Sequence, residues 1–151
     1  MKKYFYLCAI MLLSATVFTS CSDDDENEVG FPNDLIGTWQ LVSHEGWEKC
    51  NGEIKYQWSE DADDLAYVFT EDGEVRFYEY YSGKWNLEER GEYIYKNGKI
   101  IINVEEVVYD VKELTSSTLV LVGTDMWVER EEIWEGYYED TFCKVDDLDL
   151  K

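Results

Sequence analysis

Leu65-Ala66-Tyr67-Val68-Phe69-Thr70-Glu71-Asp72-Gly73-Glu74-Val75-Arg76-Phe77-Tyr78-Glu79-Tyr80-Tyr81 is the stretch that decides the fold class. Leu65, Tyr67 and Phe69 alternate with smaller neighbours, and alternation resumes at Val75 and Phe77 after Asp72-Gly73. A period of two sends successive side chains to opposite faces of an extended strand. Asp-Gly between two such runs supplies residues that tolerate positive φ, which a tight hairpin turn requires. The stretch reads as two antiparallel strands and their turn.

The same pattern continues outward in both directions. Upstream, residues 35–43 place Leu35, Gly37, Trp39 and Leu41 on one face and Ile36, Thr38, Gln40 and Val42 on the other. Downstream, strand-like runs at 84–88, 93–95, 100–104, 107–114, 119–122 and 126–145 are punctuated by Ser82-Gly83, Asn97-Gly98 and Thr115-Ser116-Ser117. Helical periodicity is absent after the N-terminal segment, and the chain has one proline. These features predict an all-β domain over residues 34–145, an antiparallel meander of about eight strands. Closure into a small barrel removes its exposed edges. Residues 45–64 are the least regular and predict a long loop with one short strand at 54–58; long loops in compact domains are often functional. Residues 146–151 read as an acidic tail.

The N-terminus carries an address. Lys2 and Lys3 precede an apolar run at 4–13, and small residues lead to Cys21, the layout of an export signal. The apolar run is shorter than the roughly 20 residues of a membrane-spanning helix. A cysteine at the cleavage point resembles a bacterial lipobox, which implies that residues 1–20 are removed and that Cys21 carries lipid. Ser22-Asp23-Asp24-Asp25-Glu26-Asn27-Glu28 holds no apolar side chain, so residues 21–33 read as a solvated tether. That acidic cluster also resembles the export signal of Bacteroidetes-type surface lipoproteins, implying an outer-membrane protein displayed at the cell surface. A plain soluble linker is the alternative.

Charge narrows the partners. The chain has 34 acidic and 13 basic residues, net −21, and loss of Lys2 and Lys3 with the signal makes it −23. Such a surface repels phosphate backbones, which excludes nucleic acid as a partner. Neutral sugars, apolar molecules, cations and basic proteins stay open. Beyond Cys8 in the signal and Cys21, Cys50 and Cys143 remain, an even pair in an oxidising compartment. A bridge between the loop after the first strand and the last strand closes a loop of roughly 100 residues and contributes about 4–5 kcal/mol in the chain-entropy view. Two free thiols are the alternative.

Gly37-Thr38-Trp39 on the first strand resembles the Gly-x-Trp signature of lipocalins, in which the glycine admits close backbone approach and the tryptophan seals one barrel end. The wider spacing is similar to lipocalin-like domains of bacterial lipoproteins. It comprises Leu35-Ile36-Gly37-Thr38-Trp39, Phe69-Thr70-Glu71-Asp72-Gly73, Gly83-Lys84-Trp85 and Tyr109-Asp110-Val111-Lys112-Glu113-Leu114. The resemblance implies a barrel and ligand binding without naming a ligand. It also implies a late arginine stacked on Trp39, a role for which Arg130 is the available residue. The second lipocalin signature begins at Thr124-Asp125-Met126-Trp127 but lacks its tyrosines.

Catalytic signals are sparse. His44 is the only histidine, at a strand end, and reads as an ordinary surface residue because its neighbours Ser43 and Glu45 point to the opposite face. One histidine without a close cysteine pair makes zinc improbable. Glu60, Asp61, Asp63 and Asp64 offer oxygen ligands for a weak calcium site, or one carboxylate of a hydrolytic pair; the metal stays unknown and no cofactor is expected. Aromatic residues make up 16% of the chain, a high share, and filling a small barrel with them is the first reading, with ordinary cross-strand packing for the tyrosines on its outer face. Trp47, Trp58 and Trp127 are expected at the barrel rim, and Tyr78 with Tyr80 as an outer platform for a sugar ring or a protein. The expectation is a non-enzymatic, membrane-anchored binding module for a small apolar or glycan-like ligand or a partner protein. A structural subunit with a filled barrel and a carboxylate-dependent hydrolase are the alternatives.

Overall fold

The computed structural model describes residues 31–104, 107–146 and 148. The signal segment, Cys21, most of the tether and most of the acidic tail lie outside the described residues. Nine antiparallel strands are present among the described residues. They are β1 (Gly37–Cys50), β2 (Glu53–Asp61), β3 (Leu65–Phe69), β4 (Glu74–Tyr81), β5 (Lys84–Lys96), β6 (Lys99–Ile102), β7 (Val107–Leu114), β8 (Thr118–Glu129) and β9 (Glu132–Val145). Each pairs with its neighbour in the order β2-β1-β3-β4-β5-β6-β7-β8-β9, and β1 also pairs with β9. That last ladder closes β1 and β3–β9 into the expected eight-stranded barrel. The Asp72-Gly73 hairpin forms as read, with Leu65 opposite Glu79 and Phe69 opposite Val75.

Aromatic side chains fill the barrel. Trp39, Tyr67, Phe69, Phe77, Tyr93 and Phe142 are buried inside with Val75, Ile100, Ile102, Leu119 and Leu121. Tyr67 meets Phe77 edge-on at 4.8 Å and Phe69 meets Tyr93 at 4.9 Å, the geometry that ring quadrupoles favour. The Tyr93 hydroxyl donates to the Thr70 carbonyl at 2.9 Å. Burial, reinforced by the Asp72 carboxylate, pushes this phenol far above the usual tyrosine range, so it stays a neutral donor.

One barrel end is sealed as the resemblance implies, but by a different cation. Trp39 is fully buried, and its indole N–H donates to the Leu35 carbonyl at 2.7 Å. Lys144, opposite Trp39 on β9, places its ammonium 5.0 Å from the ring centroid and donates to the Asp34 carbonyl at 2.8 Å. Gly37 (φ +135) leaves room for this crossing, because a Cβ there would lie 2.6 Å from Lys144 Cε. Arg130 instead sits in the β8–β9 turn with positive φ and a fully solvated side chain.

Two further expectations are corrected. The long loop expected at 45–64 is an ordered hairpin: β1 runs on to Cys50, Asn51 and Gly52 turn with φ of 51° and 83°, and β2 returns. Both turn residues have the positive φ that two-residue hairpins select. The Cys50–Cys143 bridge is absent, and both are free cysteines. The first and last strands are neighbours as expected, but the register defeats the bridge. Cys50 lies opposite Trp134 whereas Cys143 lies opposite Gln40, which separates the sulfurs by about 30 Å of strand. Bridged cysteines need Cα atoms within about 7 Å.

Thiol counting on unreduced, denatured chain from Ser22 onward is therefore expected to find two thiols. In the native state exposed Cys143 reacts fast. Buried Cys50 reacts slowly, because burial and then the Glu132 carboxylate push its thiol up. One disulfide and no free thiol would overturn the register.

Candidate functional site

Strands β1, β2, β8 and β9 continue past the barrel as a four-stranded sheet. Its spatial order is β2-β1-β9-β8. A β-bulge creates its character. The β1–β9 register shifts between Leu41 and Ser43, leaving Val42 unpaired. A bulged residue inverts the alternation beyond it. Before the bulge Trp39 and Leu41 face the barrel interior; after it His44, Gly46, Glu48 and Cys50 do. On β9 the inward series runs without interruption through Phe142, Asp140, Tyr138, Gly136 and Trp134.

The inward face is therefore built in rows across four strands. Trp58, Gly46, Tyr138 and Gly123 form one row; Tyr56, Glu48, Gly136 and Asp125 form the next; Cys50, Trp134 and Trp127 lie beyond. The glycines let rings lie flat. A Cβ on Gly46 would meet the Tyr137 carbonyl oxygen at 2.3 Å and the Trp58 ring at 2.6 Å, and one on Gly123 would sit 2.0 Å from Tyr138. Tyr56, Trp134 and Trp127 stack across the outer row, with centroids 6.3 and 5.9 Å apart and planes within 14°. The result is an open cavity of about 350 Å³ at the barrel mouth, lined by residues including His44, Glu48, Trp58, Tyr109, Asp125, Trp127, Tyr138 and Asp140. That volume is within the range of small-molecule sites.

His44 is the residue that sequence reasoning missed. It is half-buried, its Nδ1 lies 2.5 Å from Asp140 Oδ1, and its ring stacks on Trp58 at 5.6 Å and 27°. Burial pushes the Asp140 carboxyl above the usual aspartate range, and the hydrogen bond with His44 pulls the other way. Ser43 and Ser59 register on the opposite, convex face. Cys50, on the same face as His44, is about 20 Å along the strand. The pair thus lies against the Trp58 wall of the groove, with Tyr109 and Tyr138 in the same lining. The indole nitrogens of Trp58 and Trp134 are buried without hydrogen-bond partners among the described residues.

The other expected site residues are dispersed. Trp58 and Trp127 are in the groove. Trp47 is on the convex face, stacked on Tyr137 at 5.7 Å under the Lys49 ammonium. Tyr78 is buried on the outer barrel wall with Ala66 and Leu148, and exposed Tyr80 packs edge-on against Trp85 at 5.3 Å. Glu60 and Asp61 sit on alternate faces of β2, and among the described residues no three His, Cys, Asp or Glu groups converge to hold a metal.

A family model described as a lipocalin-like domain matches residues 35–121, more than half of the chain. The chain belongs to this family. No curated protein matches it. Among solved structures it is similar to a bovine odorant binding protein, a deswapped triple mutant, at 19% identity, 76% coverage of each chain and a TM-score of 0.41. The family match of this lipocalin-like domain ends at 121, so Trp127, Trp134, Gly136, Tyr138 and Asp140 all lie past it.

Gly123→Ala is expected to cost about 1–3 kcal/mol, as overpacking does, because Tyr138 must leave its flat position. Urea denaturation gives the loss, and a change in the near-ultraviolet circular dichroism reports the displaced ring. An unperturbed spectrum at wild-type stability would contradict the row geometry.

Proposed function

We propose that this lipocalin-like domain is a non-enzymatic binding module whose small ligand lies in the aromatic groove at the barrel mouth. We further propose that lipid on Cys21 holds it at the outer membrane, with the acidic tether presenting it at the cell surface. One observation carries the binding reading: in the row Trp58, Gly46, Tyr138, Gly123 of the inward face, aromatic residues alternate with glycines. This pattern leaves flat π surfaces beside an unfilled cavity. The barrel interior is lined by buried aromatic and aliphatic side chains of the core, and the groove lies at its mouth.

A second reading rests on the tip of the convex face. Met126, Val128, Ile133 and Ile54 are exposed there, Met126 at 74% and Val128 at 70%. An apolar patch of this kind suits a partner protein, which is the structural-subunit alternative.

Tryptophan fluorescence titration against panels of glycans, apolar acids and amines is expected to reveal saturable binding. Trp58→Ala and Trp127→Ala should each weaken it at least tenfold, whereas Trp47→Ala on the convex face should leave it unchanged. Loss with Trp47→Ala alone would move the site to the convex face. Cys21→Ala chain is expected to leave the membrane fraction; retention there would remove the lipid anchor.

A further inference from the structure

The row between the two aromatic walls carries charge that nothing nearby balances. Glu48 on β1 and Asp125 on β8 both register against Gly136 from opposite sides. Strand spacing places their Cα atoms about 10 Å apart across that glycine. Neither makes an ion pair among the described residues. The cations of this sheet are engaged elsewhere. Lys49 sits over Trp47 on the convex face, Lys55 pairs with Glu53, Lys144 lies over Trp39 and Arg130 is beside Glu129, while Lys112 of the adjoining β7 binds both oxygens of Glu139 at 2.6 Å. Within the groove Asp140 is bonded to His44, whereas Glu48 and Asp125 have no cationic side chain paired with them among the described residues.

The electrostatics of that arrangement select a ligand. A neutral molecule lying on the rings would strip water from two carboxylates without replacing it by positive charge, which is costly. A cation there gains from both carboxylates and from the negative faces of Trp58, Trp127 and Trp134. The net charge of −21 adds attraction of the same sign at longer range. Gly136 contributes no side chain between the two acids, and the edge of the Trp127 ring lies 3.3 Å from where its Cβ would be.

Resting on the groove reading above, we propose that the ligand is an organic cation, with its ammonium group between Glu48 and Asp125 and its hydrocarbon body against the Trp127–Trp134 stack. Choline is the probe, with its neutral carbon isostere dimethylbutanol and a neutral disaccharide as comparisons, each titrated into the intact chain by tryptophan fluorescence. Choline is expected to bind at least tenfold more tightly than either comparison, and its affinity should fall as salt rises. Glu48→Gln and Asp125→Asn should each weaken choline, and together by at least tenfold, with circular dichroism unchanged. The single variants carry the test where the double variant does not fold. Tighter binding of the isostere or the disaccharide, or unchanged choline affinity in the charge variants, overturns the cation while leaving the groove intact. Failure of choline to bind overturns the cation too, and if Trp58→Ala is then without effect on any ligand the groove itself falls.

Discussion

The ladder between β1 and β9 is the interaction on which the rest depends. It runs from Thr38 opposite Val145 to Cys50 opposite Trp134, far longer than either strand needs to close a barrel. Its first part brings the two ends of the meander together and places Lys144 over Trp39. Its second part has no barrel to close, and it carries the β1–β2 and β8–β9 hairpins outward as one sheet. A single pairing therefore supplies both the closed core and the open surface. The Val42 bulge marks the junction between them.

That bulge explains what the sequence could and could not show. Alternation identified the strands, and Asp72-Gly73 and Asn97-Gly98 identified turns, because both signals are local. Closure followed from the cost of free edges. The facing of residues 43–50 did not follow, since parity counted from Trp39 sends Trp47 inward and His44 outward, and one unpaired residue reverses both. No local feature of Val42 announces this. The disulfide failed for a related reason: adjacency of strands is legible from topology, but register depends on ladder length, which turns hidden inside an apparently irregular segment had obscured. Glu60 and Asp61 looked like loop because acidic residues have low strand propensity, yet pairing with β1 overrides it, while residues 62–64 are the link to β3. His44 and Asp140 are 96 positions apart, and only the register brings them together.

Filling the barrel and opening the sheet are two sides of one distribution of aromatic residues. Inside, Tyr67, Phe69, Phe77 and Tyr93 occupy the volume that a ligand would otherwise need. Outside, rings of the same type are laid over Gly46 and Gly123, where they have a backbone floor but no opposing layer. Burial of apolar area drives the first arrangement. The second buries only one face of each ring, so close approach to a glycine backbone replaces part of the missing contact.

An extended sheet with exposed apolar side chains and two open edges invites pairing between molecules. Among the described residues, β2 has no partner on its outer side, and β8 has none beyond Val122, where its ladder with β7 ends. Glu53, Lys55, Glu60 and Asp61 line the first edge strand, and Asp125 and Glu129 the second. Two copies brought edge to edge would oppose like charges in a molecule already carrying −21. The acidic excess therefore does more than exclude nucleic acid. It sets like charges against each other along both edges of the sheet and adds to the charge that an approaching cation would meet.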